Sequence, residues 1–348
     1  MDIVFDKSKE LDTEIANTVQ KINLLVSEDS LIIPVFTDMH LNNTQGTSFR
    51  LLLQSLKSLH SQTPFHAVIS LGDNLSMLGR DTHASNEMIA ELLEDILNQI
   101  SDAAQVPCYY INGNHDGIGT DFFTEDFWAA VVNDKYDCGM AKRNENSAYF
   151  YVDYDKSGVR LIFLSMPCGS DLDAAYPTPL WKFGDTQLKW LEETALSTAG
   201  DRDIVIFSHV PIYYSHIGDP SLTLKVWDGH KETASYIEDL YGRAEDQEEI
   251  ENILLSYSAR NPHSRIAACI YGHTHADSFL APLETAELKQ HNLPYYQVEI
   301  SCLDTKRNKT LYTDTSLGIA FDILVLTPSE KKLTMVRFGD GKDREIRY

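Results

Sequence analysis

The run "VPCYYINGNHD" (residues 106–116) opens on apolar and aromatic residues and closes on Asn114, His115 and Asp116. A short apolar run bounded by polar residues describes a strand buried on both faces, as in a parallel sheet, and its polar tail emerges where the sheet stops. Four other stretches share this form: "SLIIPVFTDMH" (30–40), "FHAVISLGDN" (65–74), "RDIVIFSHVP" (202–211) and "RIAACIYGHTH" (265–275). Between them lie helical patterns, among them an opening helix around residues 8–26, "SFRLLLQSLKSLH" (48–60), "EMIAELLEDILNQI" (87–100) and "DTQLKWLEETAL" (185–196). Strands alternating with helices make βαβ units and a largely parallel sheet.

Two segments break that rhythm. "NSAYFYVDYDKSGVRLIFLSM" (146–166) and "GIAFDILVLTPSEKKLTMVRF" (318–338) each pair two β-rich runs across a short polar turn, which predicts antiparallel hairpins and a mixed α/β architecture with two packed sheets. The expected organisation is a single domain over residues 1–348, with an insert at about 213–260 and a C-terminal β-hairpin at about 318–348. The ending "RFGDGKDREIRY" (337–348) concentrates four basic residues, expected to pair with the acidic body and to have no catalytic role.

With 52 acidic against 29 basic residues the formal charge is −23, which opposes approach to nucleic acid or an anionic membrane and favours a small-molecule partner or a metal. The five cysteines form no C-x-x-C pair and suit buried, reduced thiols in a cytoplasmic protein. The amino terminus has neither a basic n-region nor an apolar h-region, and no run approaches the roughly 18 apolar residues of a membrane span.

All five strand ends carry metal-capable residues: Asp38 and His40, Asp73, Asn114 and His115, His209, and His273 and His275. Ligands of α/β sheets bind beyond the carboxyl ends of the strands, where separate loops converge. An i, i+2 spacing near a strand end puts Asp38 with His40, and His273 with His275, on a common side. Taken singly, D-x-H or G-D is as well explained by a turn or a helix cap, and His209 by a hydrogen-bonded core histidine. Five such motifs in order, each closing a strand, are not.

"DMH", "GDN", "GNHD", "SHVP" and "GHTH" together resemble the calcineurin-like metallophosphoesterase superfamily, over residues 31–277. The resemblance implies a four-layer α/β/β/α sandwich of two mixed sheets flanked by helices. It also implies two divalent metal ions: Asp38, His40 and His275 on the first, Asn114, His209 and His273 on the second, and the Asp73 carboxylate bridging them. His115 would act as general acid, with Asp116 accepting its second ring N–H. The implied activity is hydrolysis of a phosphoester by a metal-bridging hydroxide. Two cations about 3.5–4 Å apart need one shared anionic oxygen and otherwise neutral nitrogen and oxygen ligands to stay electrophilic, which is the residue set present. Ligation without thiolate suits Mn, Fe or Zn.

Departures from sub-family patterns narrow the substrate. "GDNLSMLGR" and "INGNHDG" lack the phosphoprotein phosphatase signatures, and Ser76 stands where purple acid phosphatases have a tyrosine. The chain looks most like the bacterial branch containing cyclic-nucleotide and glycerophosphodiester phosphodiesterases, which implies a small-molecule phosphodiester. A phosphomonoesterase, a nuclease and a metal-stabilised interaction scaffold are the alternatives. In the 213–260 insert, Tyr213, Tyr214, His216, Trp227 and His230 offer groups to stack on or bond a substrate, and His83 offers a contact to a phosphate oxygen.

Overall fold

A computed structural model describes residues 7–76, 86–113, 115–116, 134–145, 147–165, 183–210, 212, 225–226, 246–273, 275, 277–280, 295–307 and 317–348. The helices are α1 (Lys7–Leu25), α2 (Thr47–Gln62), α3 (Asn86–Ala104), α4 (Asp185–Trp190) and α5 (Gln247–Arg260), with one further helical turn at Asp134–Tyr136. The first seven strands are β1 (Leu31–Phe36), β2 (Val68–Ser70), β3 (Cys108–Tyr110), β4 (Lys142–Arg143), β5 (Phe150–Tyr154), β6 (Val159–Phe163) and β7 (Asp203–Phe207). The others are β8 (Lys225–Val226), β9 (Ile266–Tyr271), β10 (Ser278–Leu280), β11 (Tyr296–Glu299), β12 (Ala320–Thr327), β13 (Lys332–Gly339) and β14 (Arg344–Arg347).

Among the described residues these strands make two sheets, in the orders β14-β13-β12-β1-β2-β3 and β4-β5-β6-β7-β9-β11-β10-β8. β1, β2 and β3 run parallel, as do β6, β7, β9 and β11, while β12–β14 and β4–β5–β6 add antiparallel pairs. Strand alternation decides which side each residue serves. Leu31, Ile33 and Val35 of β1 turn inward, where they join Ile69, Tyr109, Phe163, Val205 and Ile270 in a core shared by the two sheets. Ile32 and Phe36 turn outward against α1, α2 and α3.

Helix periodicity supplies the matching faces: α2 buries Phe49, Leu52, Leu56 and Leu59, and α3 buries Ile89, Leu93, Ile96 and Ile100. The second sheet is covered on its outer face by Leu188 and Trp190 of α4, by the π-helical continuation Leu191–Leu196, and by Ile250, Leu254 and Tyr257 of α5. The layers are therefore α/β/β/α, as expected.

Both predicted hairpins are present, as β5–β6 and β12–β13. The second continues into β14, a third strand that the hairpin expectation left out, pairing Leu333 with Ile346 and Met335 with Arg344. Of the stretch 213–260, the described part ends in α5, which packs on the second sheet. Tyr213, Tyr214, His216, Trp227 and His230, like His83, lie outside the described residues. Cys108, Cys269 and Cys302 are buried free thiols and Cys138 is an exposed one.

Candidate metal centre

Asp38, His40, Asp73, His115, His209, His273 and His275 all stand in loops just past β1, β2, β3, β7 and β9, and the structure brings them together across both sheets. Asn114 lies outside the described residues. Asp38, His40 and His275 form one group whose ligand atoms lie within 4.8 Å of one another; Asp73, His209 and His273 form a second, and His40, Asp73 and His115 a third that links them.

The convergence has a different cause from the one the spacing suggested. Asp38, His40, Asp73, His273 and His275 have φ of 53°, 47°, 52°, 74° and 59°, in the left-handed region that non-glycine residues rarely adopt. Left-handed turns beyond the strands, not the strand pleat, aim these side chains at one point. Such backbone costs roughly 1–2 kcal/mol per residue and is held here by bonds between loops. The N–H groups of Asp38 and His40 donate to the carbonyls of Gly72 (3.0 Å) and Asp73 (2.9 Å), and that of Gly272 donates to His209 (3.1 Å). The carboxylates join in, since Asp38 Oδ2 accepts from the His273 N–H at 2.9 Å and Asp73 Oδ1 from the His115 N–H at 2.7 Å.

Two motif glycines are explained by close approach rather than by turning. A Cβ on Gly113 would lie 2.1 Å from Asp73 Oδ1, and one on Gly272 2.0 Å from Thr37 Oγ1 and 2.8 Å from Asp38 Oδ2. Neither has positive φ. Any side chain at these positions would displace a carboxylate of the site.

Electrostatics prepare the set for cations. Burial works to raise the Asp38 and Asp73 carboxyls, but the neighbouring imidazoles, His275 at Asp38 and His209 at Asp73, outweigh it and leave both lowered. Burial holds His40 down at about 4 and His273 at about 3, so both rings are neutral lone-pair donors at pH 7. His209 goes the other way: burial lowers it, yet Asp73, with Oδ2 3.4 Å from its Nε2, overrides that and raises it to about 9. Its Nδ1 donates to the carbonyl of Leu71 at 2.7 Å, which aims Nε2 at Asp73.

The residues fit a cation. Asp38 Oδ1 is fully buried and accepts no hydrogen bond, with His275 Nε2 at 3.2 Å and His40 Nε2 at 3.7 Å. Those two nitrogens face each other at 2.7 Å. Among the described residues the basic groups within ion-pair distance of Asp38 and Asp73 are all imidazoles. A buried carboxylate oxygen without a donor is costly unless a charge meets it, and three converging N/O donors are what a borderline-hard divalent ion takes.

His115 is the accessible member, its side chain 25% exposed, with Nε2 3.8 Å from Asp73 Oδ2. The expected contact between its ring and Asp116 is not formed: His115 Nδ1 has no hydrogen-bond partner among the described residues. Asp116 instead accepts from Asn74 Nδ2 (3.0 Å), the Leu75 N–H (2.8 Å) and the Gly113 N–H (2.9 Å). It is fully buried, and burial with the nearby Asp73 raises it to about 7. Three donors from two loops have captured the carboxylate, so it ties the loop after β2 to the loop after β3 rather than orienting the imidazole. Sequence reasoning also passed over Thr37, whose hydroxyl donates to Asp38 Oδ2 at 2.7 Å, and Asn74, although a second polar residue after G-D in a buried run was a visible signal.

Two mixed sheets between helical layers, with aspartates and histidines gathered at the strand ends, define a metallophosphoesterase-type α/β sandwich. The chain belongs to the calcineurin-like phosphoesterase family, whose model matches residues 33–277 and so encloses every motif from Asp38 to His275. It is a metal-dependent phosphoesterase. In fold it is similar to a dimetal phosphatase from Danio rerio, with a TM-score of 0.58 and 13% identity over 91% of this chain and 99% of that one. It is also similar to PhoD, with a TM-score of 0.49 and 11% identity over 89% of this chain and 66% of that one. No curated protein sequence matches the chain.

Proposed function

We propose that the protein hydrolyses a small-molecule phosphodiester with two divalent cations, one held by Asp38, His40 and His275 and the other by Asn114, His209 and His273, sharing the Asp73 carboxylate. The observation that carries this reading is the adjacency of two three-residue donor groups, one of which contains Asp73, with Asp73 also within reach of His40. Asn114 enters through its motif. Cations held by these residues would supply Lewis-acid chemistry, polarising a phosphoryl oxygen and lowering the pKa of a bound water towards neutrality.

The chain's own groups do the rest. Neutral His40 and His273 donate lone pairs without adding charge, and Asp73 supplies the common anion. His115, anchored through its backbone to Asp73 Oδ1 and open to solvent, presents a proton to the departing alkoxide, a role worth about 10²–10⁴-fold. Asp116 positions that loop. Mixed N/O ligation supports Mn, Fe or Zn, and the missing protein-phosphatase signatures with Ser76 support the cyclic-nucleotide and glycerophosphodiester branch. The net charge supports a small substrate over nucleic acid. Among the described residues no helix is long and apolar enough to cross a membrane, and a cytoplasmic setting is part of the proposal.

The test is turnover of bis(p-nitrophenyl) phosphate against p-nitrophenyl phosphate by metal-stripped protein reloaded with Mn²⁺, beside Asp73→Asn. Mn-dependent hydrolysis of the diester, lost in the variant, is the expected result. Preference for the monoester would make the protein a phosphomonoesterase. Binding to DNA with a steep negative salt slope would make it a nuclease.

A further inference from the structure

The second sheet's share of the site ends in "GHTHAD", and the last residue of that run, Asp277, is buried among charges that come from elsewhere in the fold. Arg337 of β13 donates to both of its oxygens, Nη1 to Oδ2 at 2.8 Å and Nη2 to Oδ1 at 2.7 Å. The remaining guanidinium N–H groups reach Asp322 of β12, from Nε and Nη2 at 3.1 Å each, and the Asp340 carbonyl at 3.0 Å, so all five donors are used. Arg344 of β14 closes the group on Asp322 and bonds the Glu299 carbonyl at 2.9 Å, while the Ser301 N–H donates to Asp277 Oδ1 at 3.1 Å. The fork runs from one sheet to the other, 60 residues along the chain, and every side chain in it is almost completely buried.

We infer that Arg337 and Asp277 are positioning residues for the metal centre. Their bidentate clamp fixes the loop that carries His273 and His275 against the first sheet, which carries Asp38, His40 and Asp73. The loop needs such an anchor, because both histidines sit in left-handed backbone. At its near end it is tied by the His273 N–H to Asp38 Oδ2, and at its far end by Asp277. A planar fork on a carboxylate fixes angle as well as distance, which a lysine does not reproduce.

The inference rests on the two-cation reading, and the experiment separates them. Wild-type protein, Asp277→Asn, Arg337→Lys and the control Arg160→Lys are stripped of metal. Arg160 is another buried arginine, paired with Asp153 at 2.7 and 2.8 Å on the second sheet and taking no part in the site. Hydrogen exchange of the peptide covering 270–277 is followed in the metal-free proteins, and Mn²⁺ affinity by calorimetry. In both clamp variants exchange in 270–277 should quicken and Mn²⁺ affinity fall about 10–100-fold, the range typical of losing a partner that orients a ligand. The control should lose thermal stability without moving either readout. If Asp277→Asn does not fold, Arg337→Lys decides alone. Clamp variants that are only less thermostable, or a control that shifts both readouts equally, would overturn the inference. Wild-type protein that took up no metal would sink the two-cation reading, and exchange in 270–277 would then decide the inference by itself.

Discussion

Buried charge is handled in opposite ways at two places in this molecule. In the β12–β13–β14 meander, Asp322 and Asp277 are met by Arg337 and Arg344, on regular strands and at their ends, with the guanidinium donors of Arg337 fully used. At the strand ends that carry Asp38 and Asp73, both in left-handed backbone, the basic side chains that meet the two carboxylates are all imidazoles among the described residues. The first arrangement carries its own cations and is closed. The second spends conformational energy to aim carboxylates and imidazoles at a common point, with no arginine or lysine among the described residues to neutralise them. Buried acids by themselves do not mark a metal site; what marks one is that imidazoles, which can give up a proton and donate a lone pair, stand beside them in place of arginine or lysine.

Substitutions should separate the two regions. The largest effect is expected for Asp73→Asn, which removes the shared anion: Mn-dependent turnover should fall by more than the roughly 10²–10³-fold cost of losing one electrostatic stabiliser, with two-metal stoichiometry lost in calorimetry. His115→Ala should lower kcat by about 10²–10⁴-fold for esters with alkoxide leaving groups but far less for p-nitrophenyl esters, whose leaving group needs no proton. Its metal content should stay at two. Asp322→Ala leaves Arg337 and Arg344 short of a partner and should destabilise the protein by about 3–5 kcal/mol in urea titrations.

For pH, the metal-stripped protein is the informative form. His40 and His273 are held at about 4 and 3 against 6.5, so the unfolded chain takes up their protons first. The stability their neutral rings contribute is complete above pH 6.5 and is lost as pH falls through 4 and 3. Asp116, raised to about 7, works the other way between 7 and 3.8, and His209, raised to about 9, does so down to about 6.5. The net expectation is a loss on the order of 2 kcal/mol between pH 7 and 4, read from urea midpoints. The smallest effect is expected for Gly113→Ala, at about 1–3 kcal/mol of overpacking. Because the new Cβ meets Asp73 Oδ1 itself, weakened Mn²⁺ binding should accompany it, out of proportion to the stability lost.

The five strands and their polar ends were legible because each is local: an apolar run, then ligands within a few residues. That Asp38 and His40 face one group was also legible, whereas His273 and His275 divide between two groups, and the left-handed backbone behind all four was not legible, since strand pleat and tight turn both place i and i+2 close together. The role of Asp116 was misjudged for a similar reason. Adjacency in sequence suggested the His115 ring, whereas donors from Asn74 and Leu75, some 40 residues away, compete for the same oxygens. The meander's charges were the least legible, because a hydrophobic pattern reports burial of apolar residues only. Arg337 and Arg344 look like surface charges in "RFGDGKDREIRY" until their partners are known.

The side chains that meet at the centre come from positions 38 to 275, with His40 and His275 in contact across 235 residues. No fragment ending short of His275 contains both groups, so the two cation sites proposed for the centre are complete only once His275 has been made. By the same connectivity, a loaded centre would be a cross-link between distant parts of the polypeptide, added to the apolar core that already joins the two sheets.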